Sequence, residues 1–479
     1  MTLGSAPRIV CVSAGERRVR TEPEKKSSCP RWYSSGMSTQ TLIPGIEADD
    51  GCGMGRDDGP KAAPRLRKPD RAQVLMEPCC LEDRLPADHA GRTIWAVVGK
   101  LDLSAFYEPL KARGSEPGRS GTDPKLLVGL WLYAATEGVG NGRELDRLCQ
   151  NHDAYRWLCG SVPVNYHTLN DFRVEHEKAL DDLLTQVLAA LMSKNVVIVK
   201  RISQDGTRVR AGAGSSSFHR EKTLKDHLQA AQDQVAALKR QGEEGPAESG
   251  RRQAARERAA REREERITAA LAELPKIAAA KAKQKAKPSK DRPGRASSTD
   301  PEARVMKMGD GGFRPAYNVQ LAADPQSRAI VGVQVTNAGS DANLNEGMRQ
   351  QVERRSGGQV DEHLMDGGFV QLAGIERETQ AGVTIYAPPP TPKKEESPYT
   401  VRKGDSPEIA AWRQRMGTEE AKTLYKLRAS TSETVNADLK SFRGLHSFAV
   451  RGLTKVTCVA LWSVLAYNVM RFASTLLET

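Results

Sequence analysis

The sequence predicts an α/β protein in which a mixed sheet carries helices on its faces. Three observations lead to this class. Helical periodicity dominates residues 71–195, strand-like runs alternate with helices through residues 196–479, and a heptad pattern interrupts that alternation within residues 219–300. We therefore predict an all-α N-terminal domain followed by an α/β domain, and a helical coiled-coil insertion within the latter.

The composition indicates which kinds of binding partner and which cellular setting the protein has. The chain has 479 residues, room for two or three domains, and its 72 Lys and Arg exceed 60 Asp and Glu, a net charge of +12. This surplus suits a polyanionic partner, although ribosomal and membrane-surface proteins share it. Aromatic residues make up only 5%, which argues against binding by base stacking. Eight cysteines without regular spacing favour a reduced, cytoplasmic setting.

Neither end of the chain predicts a membrane span. Residues 1–70 are rich in Gly, Pro, Ser and charge, so we expect a disordered extension or an artefact of gene calling with Met37 as the true start. The first residues lack the continuous apolar core of a signal peptide. The apolar run at residues 456–472 contains Asn468 and Arg471, which favours a buried or interfacial helix.

The predicted all-α domain begins with short helices. Asp123 and Pro124 form an N-cap and a first-turn proline, and two further helices are expected at residues 143–149 and 154–158, before Gly160. Apolar residues then recur by threes and fours over residues 168–192, which predicts one amphipathic helix. Short helices before a longer one resemble a DNA-binding helix-turn-helix, a pattern that packing alone also produces.

The insertion has a heptad seam. Leu224, Leu228 and Ala231 belong to a series with steps of four and three, and Gly245-Pro246 breaks it. A second arm is expected from Arg251 to near Pro275, followed by a lysine-rich tail at residues 276–290. We predict an antiparallel helical hairpin with a basic tail; a solvated charged helix without a partner is the alternative.

The predicted α/β domain contains five strands. They are expected at residues 196–202, 317–321, 329–335, 363–365 and 383–386. Helices are expected at residues 342–354, 419–427, 432–441 and 455–472.

Three acids stand out. Asp205 follows the first predicted strand, although Asp205-Gly206 also fits a hairpin turn. Asp366 follows a later strand and is preferred over Asp310, which lies in a near-identical Asp-Gly-Gly-Phe segment. Glu433 lies near a helix start, where it also fits a capping box beginning at Ser430.

These acids could form a metal site. Aspartates at the ends of neighbouring strands can converge, and three carboxylates can hold two Mg²⁺ ions that activate the attacking oxygen of a phosphodiester cleavage. Arg208 and Arg210 are candidates for phosphate contacts, as is Lys440, which shares a helix face with Glu433. On a continuous helix Arg428 would lie about 140° from Glu433, so the two side chains would not face the same site. If a helix instead began at a cap at Ser430, Arg428 could approach the site from the preceding segment.

Several segments together resemble a known family. The chain is similar, from about residue 70 onward, to bacterial insertion-sequence transposases of the DDE type, in the branch with a Tyr-Arg-Glu-Lys signature. The segments that carry this resemblance are residues 164–173, 203–210, 310–318, 425–440 and 451–456.

The resemblance implies a fold, a site and a set of partners. It implies an RNase H-like catalytic domain with Asp205, Asp366 and Glu433 as catalytic metal ligands, and with Tyr425, Arg428 and Lys440 contacting DNA. Two Mg²⁺ ions, for which Mn²⁺ can substitute, would be the cofactors. The expected partners are double-stranded DNA, as terminal inverted repeats and target, and a second copy of the chain in a homodimer at the nucleoid. One departure is that four residues separate Arg428 from Glu433, where the signature usually has three.

Two alternatives remain at this point. An RNase H-like nuclease would cut DNA without joining it, and both activities would use the same metal site. A catalytically dead DNA-binding or scaffold protein from a decayed element would keep the basic charge and the helical hairpin but cleave nothing.

Overall fold

The computed structural model describes residues 78–111, 120–243, 250–282, 293–392 and 396–478. The chain divides after Leu75, and all of the described residues belong to the second unit, Met76–Thr479. The expected disorder of residues 1–70, the break at Gly245-Pro246 and most of the predicted lysine-rich tail lie outside the described residues. Everything below concerns the second unit.

Seven α-helices precede the sheet in the described part of the chain. They are α1 (Ala90–Val98), α2 (Ser104–Tyr107), α3 (Pro124–Thr136), α4 (Gly142–Asn151), α5 (Asp153–Cys159), α6 (Tyr166–Glu175) and α7 (Glu177–Ser193). The predicted cap of α3 is confirmed, because the Asp123 side chain accepts a hydrogen bond from the Lys125 amide and Pro124 follows it. Gly160 ends α5 with a φ of +55°.

The single helix predicted at residues 168–192 is wrong. The chain breaks at His176, whose φ of −117° and ψ of 43° end α6 and begin α7. The His176 ring packs against Phe106 and Phe172, with ring centroids 5.2 and 4.7 Å away. Periodicity continued through the break because Phe172 and Leu180 are buried on either side of it.

The strands are β1 (Arg201–Arg210), β2 (Phe218–His219), β3 (Ala296–Ser297), β4 (Arg304–Lys307), β5 (Phe313–Ala323), β6 (Ile330–Thr336), β7 (Glu362–Leu364) and β8 (Thr384–Tyr386). The main sheet is mixed and runs β4-β5-β1-β7-β8, with β6 also paired to β5, while β2 and β3 form a separate pair. Strand β1 is antiparallel to β5 and parallel to β7, and β7 is parallel to β8.

The first strand lies later in the sequence than predicted. Residues 196–200 are irregular, and Val197 and Val199 within them are buried in the core. Strand β1 instead carries Asp205 and Gly206 in its middle, paired with Leu321 and Gln320 of β5. The hairpin-turn alternative for Asp205-Gly206 is therefore wrong, as is the expectation that Asp205 follows its strand.

Two long helices form the insertion, α8 (Glu221–Glu243) and α9 (Gly250–Ala282). They pack together through a small apolar cluster that includes Leu224, Ala231 and Ile267. Helix α9 does not end near Pro275 as predicted but continues past it to Ala282. Proline removes one backbone donor from a helix, and here the apolar contact of Ile277, two residues later, holds the following turn in place.

The remaining helices cover the sheet. They are α10 (Asn345–Ser356), α11 (Leu372–Gln380), α12 (Pro407–Gly417), α13 (Glu419–Ser441), α14 (Leu453–Arg471) and α15 (Ala473–Leu477). Helix α14 is long and apolar enough to cross a membrane by length and composition, but 72% of its 18-residue window is buried within the protein, as in the core helix of a soluble protein. Its side chains and those of α3, α7, β5 and β6 belong to one hydrophobic core.

Two side-chain amides hold the outer edge of β6. Asn468 of α14 accepts from the Ile330 amide at 3.0 Å and donates to the Ile330 carbonyl at 2.9 Å. Gln351 of α10 bonds the amide and carbonyl of Val333 in the same way, both at 3.0 Å. These contacts satisfy backbone groups that the edge of a sheet would otherwise leave unpaired.

Candidate active site

Strand β1 presents Asp205 toward helix α13. Side chains alternate along a strand, so Ser203 and Asp205 share one face and Gln204 and Gly206 the other. The Ser203 hydroxyl lies 3.2 Å from that of Ser432 on α13. The Asp205 carboxylate is held by two donors from the same helix and is only 21% exposed.

Asp366 lies beside Asp205. Strands β1 and β7 run parallel with Ser203 opposite Leu364, and each aspartate lies two residues beyond that pair. Asp366 begins a short 3₁₀ turn, in which its Oδ1 accepts a hydrogen bond from the Gly368 amide at 2.6 Å. The parallel register therefore brings together two acids that are far apart in the sequence.

Asp310, which begins the other Asp-Gly-Gly-Phe segment, lies away from Asp205 and Asp366. Asp310 is exposed in the turn before β5, where Arg314 binds both of its carboxylate oxygens, at 2.8 and 2.6 Å. The guanidinium and the Gly312 amide hold the pKa of Asp310 below its ordinary value. It has the same local sequence as Asp366 but a different environment.

One guanidinium contacts both acids of the candidate site. Arg428 Nη2 lies 2.8 Å from Asp205 Oδ1 and 3.7 Å from Asp366 Oδ2. Burial raises the pKa of Asp205, Asp366 raises it further, and the positive charge of Arg428 opposes both effects. The two carboxylates are close enough to repel, and a cation lies between them.

Helix α13 is continuous through the predicted cap. It runs from Glu419 to Ser441 with Thr418 as its N-cap, so the capping box at Ser430 is wrong. The Ser430 hydroxyl bonds back to the Leu427 carbonyl within the helix, as Ser and Thr commonly do in helix interiors. Arg428 consequently approaches Asp205 from the helix itself, and Glu433 lies about 140° around it.

Asn436 is a site residue that the sequence did not reveal. Its Nδ2 donates to Asp205 Oδ2 at 2.9 Å, two helical turns after Arg428. Its own Oδ1 is buried and has no hydrogen-bond partner within the described part of the chain. The spacing of eight residues from Arg428 is a signal that could have found it, because both positions fall on the same side of α13.

Glu433 lies at the margin of this site. Its side chain is exposed, and among the described residues it makes no hydrogen bond or ion pair. It lies about 60° around the helix from Asn436 and shares a face with Lys440. Lys440 is half-buried; burial lowers its pKa, whereas the nearby Asp205 raises it.

Tyr425 joins the site to a second apolar cluster. Its partly buried ring packs against the cluster that contains Met365 and Phe369. Burial raises the pKa of the Tyr425 hydroxyl, Arg428 lowers it, and Asp366 raises it. Tyr425 and Arg428 therefore lie close together on α13.

A buried polar cluster supports the opposite face of β1. Asp341 Oδ2 accepts from Arg208 Nη2 at 2.7 Å, and its Oδ1 accepts from Asn318 and Gln320, also at 2.7 Å. Gly206 lies against this cluster, and a Cβ there would come closer than 3.0 Å to Asp341 Oδ1 and to Gln320 Nε2. Glycine is required here by close approach, since its φ is not in the left-handed region.

The two arginines of β1 have different surroundings. Arg208 is committed to Asp341 and also donates to the Gly339 carbonyl at 3.1 Å, so it is a structural anchor as well as a candidate for a phosphate contact. Arg210 is exposed at the end of the strand, where its backbone carbonyl accepts from the Phe448 amide.

The donor set fits a hard divalent cation in part. Asp205 and Asp366 offer carboxylate oxygens that already share a positive group, and Asn436 Oδ1 is buried without a partner among the described residues. No group of three or more His, Cys, Asp or Glu side chains in the described ranges is arranged to hold a metal ion. Two of the three predicted acids are therefore together, and the third is not.

Two family profiles match the chain. Residues 79–175, which contain α1 to α6, match the family described as Transposase domain (DUF772), and residues 391–473, which contain α12 to α14, match Transposase DDE domain. Over these two ranges the chain is similar to transposase domains, the second of them of the DDE type. Comparisons with curated proteins and with solved structures find no match.

The two matches cover different candidate residues. Tyr425, Arg428, Glu433 and Lys440 lie within the DDE match, whereas Asp205 and Asp366 lie outside both matched ranges. A DDE domain implies DNA cleavage and joining, a DNA partner and dependence on a divalent metal ion. The α/β class with a mixed sheet agrees with this family.

Proposed function

We propose that this protein is a transposase that binds the terminal inverted repeats of its element, cleaves a phosphodiester at each end and joins the freed 3′-hydroxyl to target DNA. The observation that carries the proposal is the pairing of Asp205 and Asp366 around the single guanidinium of Arg428. Asp205, in the middle of β1, and Asp366, which follows the neighbouring strand β7, are separated by 161 positions in the sequence but contact the same guanidinium.

The catalytic acids of the proposal are Asp205, Asp366 and Glu433. Asp205 and Asp366 would provide carboxylate oxygens from β1 and from the turn after β7, and Glu433 would join them from α13, the helix that already contacts Asp205. When bound, two Mg²⁺ ions, or Mn²⁺ in their place, would activate the attacking oxygen and stabilise the leaving oxygen. We further propose an RNase H-like sheet, supported by the order β6-β5-β1-β7-β8.

The chemistry consists of two displacements at phosphorus. In the first, water attacks at the element end, the bond to the bridging oxygen breaks and a 3′-hydroxyl is released. In the second, that hydroxyl attacks a target phosphate, gives up its proton and displaces a second 3′-oxygen. Lys440 and the exposed Arg210 would bind the phosphates, and Tyr425 would contact the DNA beside them.

The remaining assignments complete the proposal. Residues 71–195 would contact the inverted repeats, with the catalytic domain at residues 196–479 and the helical insertion at 219–300. Arg428 would contact DNA once released from the acids, and Arg208 would add charge near its backbone. A homodimer would hold two ends together, in the cytoplasm at the nucleoid.

Nicking of end DNA tests the proposal. Asp205→Ala, Asp366→Ala and Glu433→Ala should each lower Mg²⁺-dependent nicking by on the order of 100-fold or more, because each removes a ligand that positions transition-state charge. Asp310→Ala is the matched control, since Asp310 lies in the same local sequence but is paired only within its own turn.

Three outcomes would change the assignment. Unaltered nicking by Asp205→Ala would disprove the enzymatic site. Loss of nicking in Asp310→Ala but not in Asp366→Ala would show that Asp310, and not Asp366, is the catalytic acid. Strand transfer with a precut end separates a transposase from a nuclease, which would nick but not join.

A further inference from the structure

The two oxygens of Asp205 are held by chemically different groups. Oδ1 accepts from the charged Arg428 at 2.8 Å, and Oδ2 accepts from the neutral Asn436 at 2.9 Å. Both donors come from α13, two helical turns apart. A single rigid helix therefore saturates the carboxylate from one side.

Arg428 has the position and the charge of a counter-ion. The same nitrogen that bonds Asp205 also lies 3.7 Å from Asp366, and the Arg428 side chain is 17% exposed. Its Nε is buried without a hydrogen-bond partner among the described residues. Lys440 and Arg208 add positive charge nearby, but neither forms a hydrogen bond or ion pair with either acid among the described residues. Arg428 is thus the cation in direct contact with the carboxylate pair.

Asn436 has a different role from Arg428 at Asp205. It carries no charge, and it donates to Asp205 Oδ2, whereas Arg428 donates to Oδ1. Its Oδ1 is buried and unpartnered. A neutral donor on Oδ2 orients the carboxylate and leaves Oδ1 to share a cation with Asp366.

We propose that Arg428 occupies the cation position between Asp205 and Asp366 in the DNA-free protein, so that a divalent ion must displace it, while Asn436 is a positioning residue that keeps Asp205 aimed at that position. This inference rests on the proposed function. The inference extends the proposed function, because binding of a divalent ion then depends on the release of Arg428, which the phosphates of bound DNA can attract.

The proposal predicts effects of opposite sign from two residues on one helix. Arg428→Gln should tighten Mn²⁺ binding by about tenfold, because the ion no longer competes with a charge-assisted hydrogen bond. Asn436→Ala should weaken it, by between about threefold and tenfold, because Asp205 loses its orienting donor. Asn436→Ala should also weaken binding in the Arg428→Gln background.

The experiment is equilibrium Mn²⁺ binding to the full chain without DNA, followed by the loss of the free-ion electron paramagnetic resonance signal. Asn151→Ala is the matched control, because Asn151 is an exposed helical asparagine that bonds only the Arg147 carbonyl. Thermal unfolding of each variant reports the fold separately, and Arg428→Gln still tests the proposal if Asn436→Ala does not fold.

The outcomes separate this inference from the proposed function. Binding that is lost in Asp205→Asn but is equal or weaker in Arg428→Gln overturns the inference and leaves the proposed site intact. Binding that Asp205→Asn does not change overturns the proposed site, and the inference with it. Tighter binding in Arg428→Gln together with weaker binding in Asn436→Ala supports both.

Discussion

Substituting Gly206 by alanine tests how β1 is held beside the candidate site. An added Cβ would lie 3.0 Å from Asp341 Cγ and closer still to Asp341 Oδ1 and Gln320 Nε2. These atoms cannot simply rotate away, because Asp341 is 8% exposed and accepts hydrogen bonds from Arg208, Asn318 and Gln320. Either β1 moves or the hydrogen-bonded cluster breaks.

The expected cost of Gly206→Ala is about 1–2 kcal/mol of unfolding free energy. Overpacking a tight site costs about 1–3 kcal/mol. Alanine has a lower conformational entropy than glycine in the unfolded chain, which stabilises the folded state and offsets about 0.4–1 kcal/mol of that cost. Gly309→Ala is the matched control, since a Cβ there has no atom within 4 Å, and we expect a change within about 0.5 kcal/mol.

Urea unfolding of both variants measures this difference. A second comparison, Gly206→Ala in an Asp341→Ala background, should cost less than in the wild type because one of the two obstructing side chains is gone. If Gly206→Ala unfolds within about 0.5 kcal/mol of the wild type, the close approach does not explain the glycine. An equal cost in both backgrounds would show that Asp341 is not the obstruction.

Two further predictions concern stability. His363 is fully buried with both ring nitrogens unpartnered among the described residues, and burial lowers its pKa to about 3. The unfolded chain gains a proton below about pH 6.5 and the folded chain does not, so stability should fall by about 2 kcal/mol between pH 7.5 and 5.0 through this residue. His363→Leu should remove that part of the fall in urea unfolding, and an unchanged pH dependence would contradict it. Asn468→Leu should cost about 2–4 kcal/mol, because two buried backbone groups of Ile330 lose their partner. Gln351→Leu should cost less, because Gln351 is only partly buried and water can replace it; the reverse order would be contrary to our account.

The sequence predicted the elements whose side chains are mainly apolar. Strands β5 and β6 and helix α14 were located to within a few residues, because burial against the core imposes a clear hydrophobic pattern. Strand β1 was misplaced for the opposite reason. Its buried residues include Thr207 and two residues that contact other polar side chains, Ser203 and Gln204, and the nearby valines lie in the irregular segment before it.

The candidate site was only partly predictable. Asp205 and Asp366 were chosen from strand ends and family resemblance, and only the parallel register of β1 and β7 places them side by side. Asn436 was missed because it is not one of the signature residues of the segment 425–440, and Asp341 was missed because it lies in none of the segments that carry the resemblance. The continuity of α13 could not be inferred because Ser430, Thr431 and Ser432 are equally suited to a cap or a helix interior. That continuity is what brings Arg428 to Asp205 and leaves Glu433 exposed.

Iron-directed cleavage of the polypeptide tests the shared cation site most directly. Fe²⁺ binds oxygen sites similar to those of Mn²⁺ and, with ascorbate and peroxide, cuts the backbone next to where it is bound. We predict cuts near Asp205 and Asp366, with a third near Glu433 on α13, all suppressed by excess Mg²⁺ and by Asp205→Asn. Cuts near Asp310 instead, or cuts that Mg²⁺ and Asp205→Asn leave unchanged, would contradict the account.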